Sequence, residues 1–227
     1  MSATRFLVWL HLIYFGLVIP LGAIRGHKRI IAQGQTAPNR LRRYALTSLS
    51  LVFFGLLSLA AASRIGVSLL PRALPPLSAV LVGISMYVVS VSLMLPHWRA
   101  AVQKRSHVAD LFTPRSEAEG AGWLVVSLLA GISEEITWRG VQVILLADLT
   151  GQYCLAALAS AISFAIAHAV QGWRSAIVII VFALCFHLLV WLARSLYVAM
   201  VVHVAYDVTA GLAYGRFRRK LESATAQ

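Results

Sequence analysis

Long apolar runs recur along the chain and constrain its fold more than any other feature. Seven runs lie at positions 6–24, 44–62, 77–95, 122–147, 153–170, 175–193 and 196–214. A run of about 18 or more apolar residues with few charges is typical of a transmembrane helix. Only 12% of the 227 residues are charged, whereas a soluble domain carries about 25%. The sequence therefore predicts an all-α fold, a polytopic membrane helical bundle of about seven transmembrane helices.

The basic residues are unevenly divided between the two sides of the predicted bundle. With seven spans, fifteen of them fall on one side, in the connections 25–43, 96–121 and 171–174 and in the tail. Four fall on the other side: Arg5, Arg64, Arg72 and Arg194. The positive-inside rule then predicts an external N-terminus and a cytoplasmic C-terminus. The net charge of +12 thus reflects topology and attraction to anionic lipid, and we expect no nucleic-acid partner.

Ionisable residues inside the predicted spans are concentrated in the second half of the chain. The first three spans contain almost none of them, and the last four contain nearly all. We therefore divide the chain into an N-terminal three-span region at 1–95, a cytoplasmic loop at 96–121, a four-span catalytic core at 122–214 and a basic cytoplasmic tail at 215–227. His11, in the first span, is expected at the membrane interface.

The first motif is a charged group inside the fourth span, Glu134, Glu135 and Arg139. Charged side chains at bilayer depth are costly unless they are paired or lie in a cavity, so they indicate a reaction site or an ion path. On a helix, Glu135 and Arg139 are at i and i+4 and form a pair. Glu134 lies about 100° away around the helix axis. Glu134 is therefore the candidate general base and Glu135 its structural neighbour; the alternative is a Glu–Arg pair that only fixes helix packing.

Two further motifs follow on later spans. Phe164 and His168 share one helix face at i and i+4, and so do His203 and Asp207. Alone, His168 is an interfacial or core histidine, and His203 with Asp207 is a local polar pair. Ionisable groups on three separate spans nevertheless predict a shared site in the bundle interior. His168 is expected nearer the cytoplasm than the other groups, so convergence requires tilted or shifted helices.

A glutamate base accompanied by imidazoles is a hydrolytic set, since the imidazoles orient water or stabilise an oxyanion. The same groups could instead hold a metal ion and its water. The sequence has no His-Glu-x-x-His, the strong signal of a zinc protease. Ser133 precedes Glu134, but the Gly-x-Ser-x-Gly pattern of a nucleophilic serine does not surround it, so the sequence disfavours a serine-protease mechanism. Cys154 and Cys185 show no metal-ligand spacing.

In order and spacing, the three motifs resemble those of the CPBP (CAAX protease and bacteriocin-processing) family of intramembrane endopeptidases, which includes the type II CAAX prenyl endopeptidases. The family pattern is Glu-Glu-x-x-x-Arg, then Phe-x-x-x-His, then His-x-x-x-Asn or Asp, and the resemblance covers about residues 122–214. It implies that Glu134 activates water for peptide hydrolysis and that His168 is a second catalytic group, acting on the oxyanion. The supporting residues that it implies are Glu135, Arg139, Phe164, His203 and Asp207.

The resemblance also implies a cavity that opens laterally between helices and toward the cytosol, which suits a membrane-anchored or lipidated peptide or protein substrate. The expected partners are thus the lipid bilayer and such a substrate, and the expected location is a bacterial cytoplasmic membrane. Trp138 replaces the usual Phe of the first motif, and Asp207 stands where CAAX enzymes typically have Asn. His187 lies where relatives often have small residues. We expect it to be either an unpaired histidine of the core or an additional group of the pocket.

Three questions stay open at this point. No metal or other cofactor is expected, because no conventional ligand spacing is present, with zinc as the alternative. A non-catalytic scaffold or bacteriocin-immunity protein of the same fold is the runner-up function. An ion or proton transporter is a third, disfavoured because the sequence lacks paired broken helices and inverted repeats.

Overall fold

The computed structural model describes residues 3–33, 39–71, 73–104, 106 and 113–225, and within these ranges every regular element is helical. The described residues form seven continuous helical segments, as the sequence predicts. Two of these segments each consist of two α-helices joined by π-helical residues, so nine α-helices are named. The helices are α1 (Ala3–Ile13), α2 (Ile19–Gln33), α3 (Arg40–Arg64), α4 (Leu77–Gln103), α5 (Glu117–Glu134), α6 (Val143–Thr150), α7 (Tyr153–Ala167), α8 (Trp173–Ala193) and α9 (Tyr197–Thr225). A π-helical turn, Tyr14–Val18, joins α1 to α2, and a second π-helical segment, Glu135–Gln142, joins α5 to α6.

Five stretches of the described chain are long and apolar enough to cross a membrane. They are Ala3–Arg29, Arg40–Arg64, Leu77–Gln103, Trp173–Ala193 and Tyr197–Ala224. Helix α7 is a shorter apolar helix. Many large apolar side chains face outward, including Leu49 and Val201, each 68% exposed. An outer surface of this kind suits lipid rather than water, so the bundle is that of an integral membrane protein.

Several helices extend beyond the apolar runs from which they were predicted. Helix α4 continues through Pro96 to Gln103, and α5 begins at Glu117, where the Ser116 side chain accepts a hydrogen bond from the Glu119 backbone N–H over 3.2 Å. The connection is therefore shorter than the predicted loop at 96–121, and part of it, at 105 and 107–112, lies outside the described residues. The predicted tail at 215–227 is the end of α9 as far as Thr225. Apolar periodicity alone does not reveal helical turns that continue outside the bilayer. The division into 1–95, 122–214 and 215–227 as functional regions stays a prediction.

Helix α5 is central to the bundle, since it packs against both α3 and α9. Helices α3 and α5 run parallel: a Cβ atom at Gly122 would meet the Tyr44 ring, and one at Gly55 would lie 3.0 Å from Ser133 Oγ. At Gly131, a Cβ atom would collide with the Val204 side chain and its backbone nitrogen. Glycine at 131 thus allows α5 and α9 to approach closely, as small residues do in membrane helix pairs.

The π-helical segment Glu135–Gln142 is buried at all eight positions. Trp138 anchors it in an aromatic cluster, with ring centroids 5.4 Å from Phe15, 6.2 Å from Phe54 and 5.2 Å from Phe164. π-Helical bulges are rare and occur frequently at functional sites. Here the segment carries Glu135 and Arg139 into the centre of the bundle.

Candidate active site

Glu134 and Glu135 are neighbours in the chain, yet they face different surroundings. Glu135 is fully buried; its Oε1 lies 3.3 Å from Arg139 Nη1 and accepts a hydrogen bond from His203 Nδ1 over 2.8 Å. The Glu134 side chain is 12% exposed, and its Oε2 lies 3.7 Å from His203 Nε2. One carboxylate is therefore held by a cation and an imidazole, and the other is reached by solvent.

Arg139 is enclosed by aromatic rings as well as by its carboxylate partner. Its Cζ lies 4.2 Å from the centroid of the Phe164 ring and 5.3 Å from that of Phe186. A guanidinium over an aromatic face is attracted by the ring quadrupole, and more strongly when water is excluded. The predicted pair of Glu135 and Arg139 is thus present, and the Phe164 contact joins the first motif to the second.

His203 lies between three carboxylates. Because a carboxylate only accepts hydrogen bonds, the Nδ1 contact with Glu135 puts a proton on that nitrogen. His203 Nε2 is 3.7 Å from Glu134 Oε2 and 3.7 Å from Asp207 Oδ2, which are ion-pair distances rather than hydrogen bonds. Its ring also packs 5.6 Å from the Phe186 ring. His203 therefore joins the third motif to both glutamates of the first.

His168 follows the last residue of α7 and is half-buried. Its Nδ1 lies 2.8 Å from the Phe164 carbonyl oxygen, and the two rings have centroids 4.4 Å apart. Since a carbonyl oxygen only accepts, Nδ1 carries a proton, and Nε2 remains the nitrogen that can exchange one. His168 lies within electrostatic range of Asp207, so the second motif reaches the third.

All seven predicted site residues thus belong to one connected group. The direct contacts run from Glu135 to Arg139 and His203, from Arg139 to Phe164, from Phe164 to His168, and from His203 to Glu134 and Asp207. Within the part of the chain that the structure describes, no three His, Cys, Asp or Glu side chains are arranged to hold a metal ion. Their catalytic and supporting roles stay predictions.

Several residues at the site were missed by the sequence analysis. Phe186, which contacts both Arg139 and His203, is a plain apolar residue of α8 and gives no sequence signal. His11 is fully buried, not interfacial as expected, and its Nε2 lies 3.0 Å from Ser58 Oγ, which lies 3.0 Å from Thr137 Oγ1. The sequence signal that could have indicated these contacts is the position of His11, Ser58 and Thr137, three polar residues, inside apolar runs.

His187 is buried, with 2% of its surface exposed, and neither ring nitrogen has a hydrogen-bond partner in the described part of the chain. It lies within electrostatic range of Arg139. Glu135 Oε2 and Arg139 Nε also lack partners there. Unsatisfied buried polar atoms of this kind are uncommon and often accompany functional sites.

A cleft of about 510 Å³ reaches Glu134 from one face of α3. Arg42, Arg43, Thr47, Ser50 and Phe54 line it together with Glu134. Because the cleft is open to the surface, the exposed edge of Glu134 is accessible from outside the bundle. Glu135 does not line it.

The fold and the site define a class: a helical membrane protein with a buried polar site that contains two adjacent glutamates. Residues 117–209, which span all three motifs, match the family model described as type II CAAX prenyl endopeptidase Rce1-like. This match confirms the resemblance to the CPBP, or CAAX protease, family and supports protease activity within the membrane. No curated protein and no solved structure matches the chain.

Proposed function

We propose that the chain is an intramembrane endopeptidase that hydrolyses a peptide bond in a membrane-anchored or lipidated substrate, with water activated by Glu134. The observation that carries this proposal is the contrast between the two glutamates. Glu135 is fully buried and bound by Arg139 and His203, whereas Glu134 is partly exposed and lines the open cleft. A general base must reach both water and substrate, and of the two only Glu134 does.

In the proposed reaction, the Glu134 carboxylate takes one proton from a water molecule in the cleft. The water oxygen bonds to the carbonyl carbon of the scissile peptide, whose oxygen becomes an oxyanion. Glu134 then gives the proton to the leaving nitrogen as the carbon–nitrogen bond breaks. The products are a carboxyl group and an amine, and the protein ends in the state in which it began. General acid–base catalysis of this kind contributes roughly 10²–10⁴-fold.

His168 is the proposed donor to the oxyanion. Its Nδ1 proton is committed to the Phe164 carbonyl, so donation to an oxyanion requires a proton on Nε2 as well. His203 is a positioning residue that links Glu135 to Glu134 and Asp207. Glu135 and Arg139 hold His203 in place, and Phe164 supports both Arg139 and His168.

The mechanism that we propose uses no metal ion. No three His, Cys, Asp or Glu side chains in the described part of the chain are arranged to hold a metal ion, and the Arg139 guanidinium lies 3.3 Å from Glu135 Oε1. A fixed guanidinium would repel a divalent cation.

The decisive experiment compares the termini of membrane proteins in cells that express the wild type, Glu134→Ala or neither, at matched protein levels. A control variant is Glu117→Gln, which alters an exposed acid on α5. New termini should appear with the wild type and Glu117→Gln and be absent with Glu134→Ala. These termini would also identify the substrate and the bond cleaved.

Identical termini in all the cells, together with equal rescue of any phenotype by Glu134→Ala, would refute the catalytic proposal. The non-catalytic scaffold or immunity role would then take its place. The proposed orientation, with the C-terminus in the cytoplasm, is tested separately by the accessibility of single cysteines placed in the tail and after Arg64.

A further inference from the structure

The cleft that reaches Glu134 follows a single face of α3. Its α3 residues recur at helical spacing from Arg42 to Phe54, and Asn39, the N-cap residue of α3, continues the row. Since α3 and α5 run parallel, with Tyr44 beside Gly122 and Gly55 beside Ser133, Glu134 lies level with the Phe54 end. Arg42 and Arg43 lie at the other end. The cleft therefore has a basic mouth and an apolar inner part that ends at the proposed catalytic base.

The distance between these two ends is fixed by the helix. About a dozen residues separate Phe54 from Arg42, and a rise of 1.5 Å per residue makes this about 18 Å. An extended peptide covers about 3.3–3.6 Å per residue. Because the arginine side chains reach into the cleft, a peptide bond at Glu134 and a group at the mouth would be about four to six residues apart along a substrate.

The positive charge at the mouth is available for a ligand. Arg40, one turn away, is buried and pairs with Glu119 at 3.9 Å. Arg42 is exposed and Arg43 is half-buried, and neither guanidinium has an ion-pair partner in the described part of the chain. Arg115 and Arg218 lie within electrostatic range of Arg40 and add to the positive field. Guanidinium groups of this kind suit planar carboxylates, which they bind through two parallel hydrogen bonds.

We propose that Arg42 and Arg43 bind a carboxylate of the substrate, either an acidic side chain or the chain terminus, about four to six residues from the cleaved bond. This inference rests on the proposed function, since it takes Glu134 as the reacting end of the cleft. The two arginines select substrates that carry this carboxylate, and they hold the substrate strand along α3. The Thr47 hydroxyl, midway along the cleft, is placed to contact the strand between its two ends. Ser50 Oγ donates to the Leu46 carbonyl oxygen over 3.0 Å and can only accept a hydrogen bond from the strand.

The test uses the full chain in phosphatidylcholine vesicles and a set of lipidated fluorogenic peptides. Their segment is an uncharged sequence, taken from the Glu134-dependent termini where these are found and otherwise alanine-rich, and a single Asp, or Asn as its neutral match, is moved along it. Further peptides carry a free or an amidated C-terminus. The rate constant kcat/KM should be about tenfold higher with Asp than with Asn four to six residues from the bond, the effect of one charge-assisted hydrogen bond.

In the double variant Arg42→Gln/Arg43→Gln, the ratio of the Asp rate to the Asn rate should fall close to one. The control is Arg64→Gln, which removes an exposed cation at the other end of α3 and should keep the tenfold ratio. A wild-type ratio near one at every position would overturn the carboxylate site, while Glu134-dependent cleavage would still support the proposed function.

Binding of the same peptides to Glu134→Gln protein tests the inference without cleavage. Tighter binding of the Asp peptide than of the Asn peptide, lost in the Arg42→Gln/Arg43→Gln background, supports the site even if no peptide is cut and the proposed function fails. Equal affinities overturn it. The measurements are repeated in vesicles that also contain phosphatidylglycerol. If the double variant loses only the response to this lipid, the arginines bind lipid headgroups and the substrate site is refuted.

Discussion

The cleft side and the core side of the site differ in how their charges are stabilised. On the cleft side, Glu134 is partly exposed and shares the open cleft with Arg42 and Arg43. On the core side, Glu135 is fully buried and is bound by Arg139 and His203. Solvent can stabilise the first carboxylate, whereas the second depends on protein partners.

In the proposed mechanism, this difference assigns proton transfer to Glu134 and the positioning of other groups to Glu135. A group that must exchange protons needs access and freedom to change its charge. A group that orients others needs fixed partners, and removing one of those partners leaves a buried charge uncompensated. We therefore expect substitutions on the cleft side to change activity and substitutions on the core side to change stability.

The largest expected effect on stability comes from Arg139→Met, which leaves Glu135 buried without its cation. The free energy of unfolding should fall by about 3–5 kcal/mol. Glu134→Gln should change it by no more than about 1 kcal/mol, because the Glu134 carboxylate is partly exposed and lies beyond hydrogen-bond distance of His203. Urea unfolding in detergent micelles, followed by tryptophan fluorescence, measures both. Equal losses in the two variants would mean that the glutamates form one structural cluster, which would remove the distinction between the two sides.

A smaller effect is expected from Gly131→Ala, which tests the contact that brings the core side together. The new Cβ would strike Val204, so α9, which carries His203, must shift away from α5. Overpacking of this kind costs about 1–3 kcal/mol. In Gly120→Ala, on the same helix, the Cβ meets nothing within 4 Å, and stability should stay equal or rise. Similar behaviour of the two alanines would contradict the close packing.

Next in size is Ser58→Ala, which breaks the buried contacts from His11 to Thr137. The loss should be about 1–2 kcal/mol, because Ser58 Oγ makes two buried hydrogen bonds, each with a net contribution of about 1 kcal/mol. Ser63→Ala is the matched control, because Ser63 is exposed on the same helix and, among the residues that the structure describes, its hydroxyl donates to the Ala60 carbonyl oxygen alone. If the two variants unfold at the same urea concentration, the buried contacts do not stabilise the core side.

No effect is expected from removing metal ions. Treatment of the purified protein in vesicles with a chelator such as phenanthroline, followed by dialysis, should leave cleavage unchanged. Restoration of lost activity by added zinc would refute the metal-free mechanism and assign Glu134 to a metal-bound water instead. Metal analysis of the active protein provides an independent check.

Much of the architecture could be predicted from the sequence because the length and hydropathy of apolar runs identify membrane helices. The pairs at i and i+4 were also accessible, since Glu135 with Arg139 and His203 with Asp207 need only helical spacing to meet. Such pairs carry information about one helix at a time. Their contacts across helices, such as His203 with Glu135, were predicted only as a general convergence of ionisable groups.

Other parts of the site could not be predicted because they depend on how helices pack. Phe186 is one of many apolar residues on α8, and only the packing places its ring against Arg139 and His203. The burial of His11 follows from the approach of α1 to α3, which no local pattern encodes. The mouth residues Arg42 and Arg43 were counted only as topological charge, because the cleft that they line together with Glu134 is formed between separate segments.

The π-helical segment at Glu135–Gln142 has a consequence for which changes the chain can accept. Each i→i+5 turn of this segment contains one residue more than an α-helical turn, so removal of one residue would let the turn close with i→i+4 hydrogen bonds. A deletion between Glu135 and Arg139 would bring these residues from i and i+4 to i and i+3 and change the geometry of their ion pair. We therefore expect the side chains at the buried positions of this segment to vary among related sequences far more readily than the length of the segment. The number of residues between Glu135 and Gly151 should accordingly be the same in sequences that share this site.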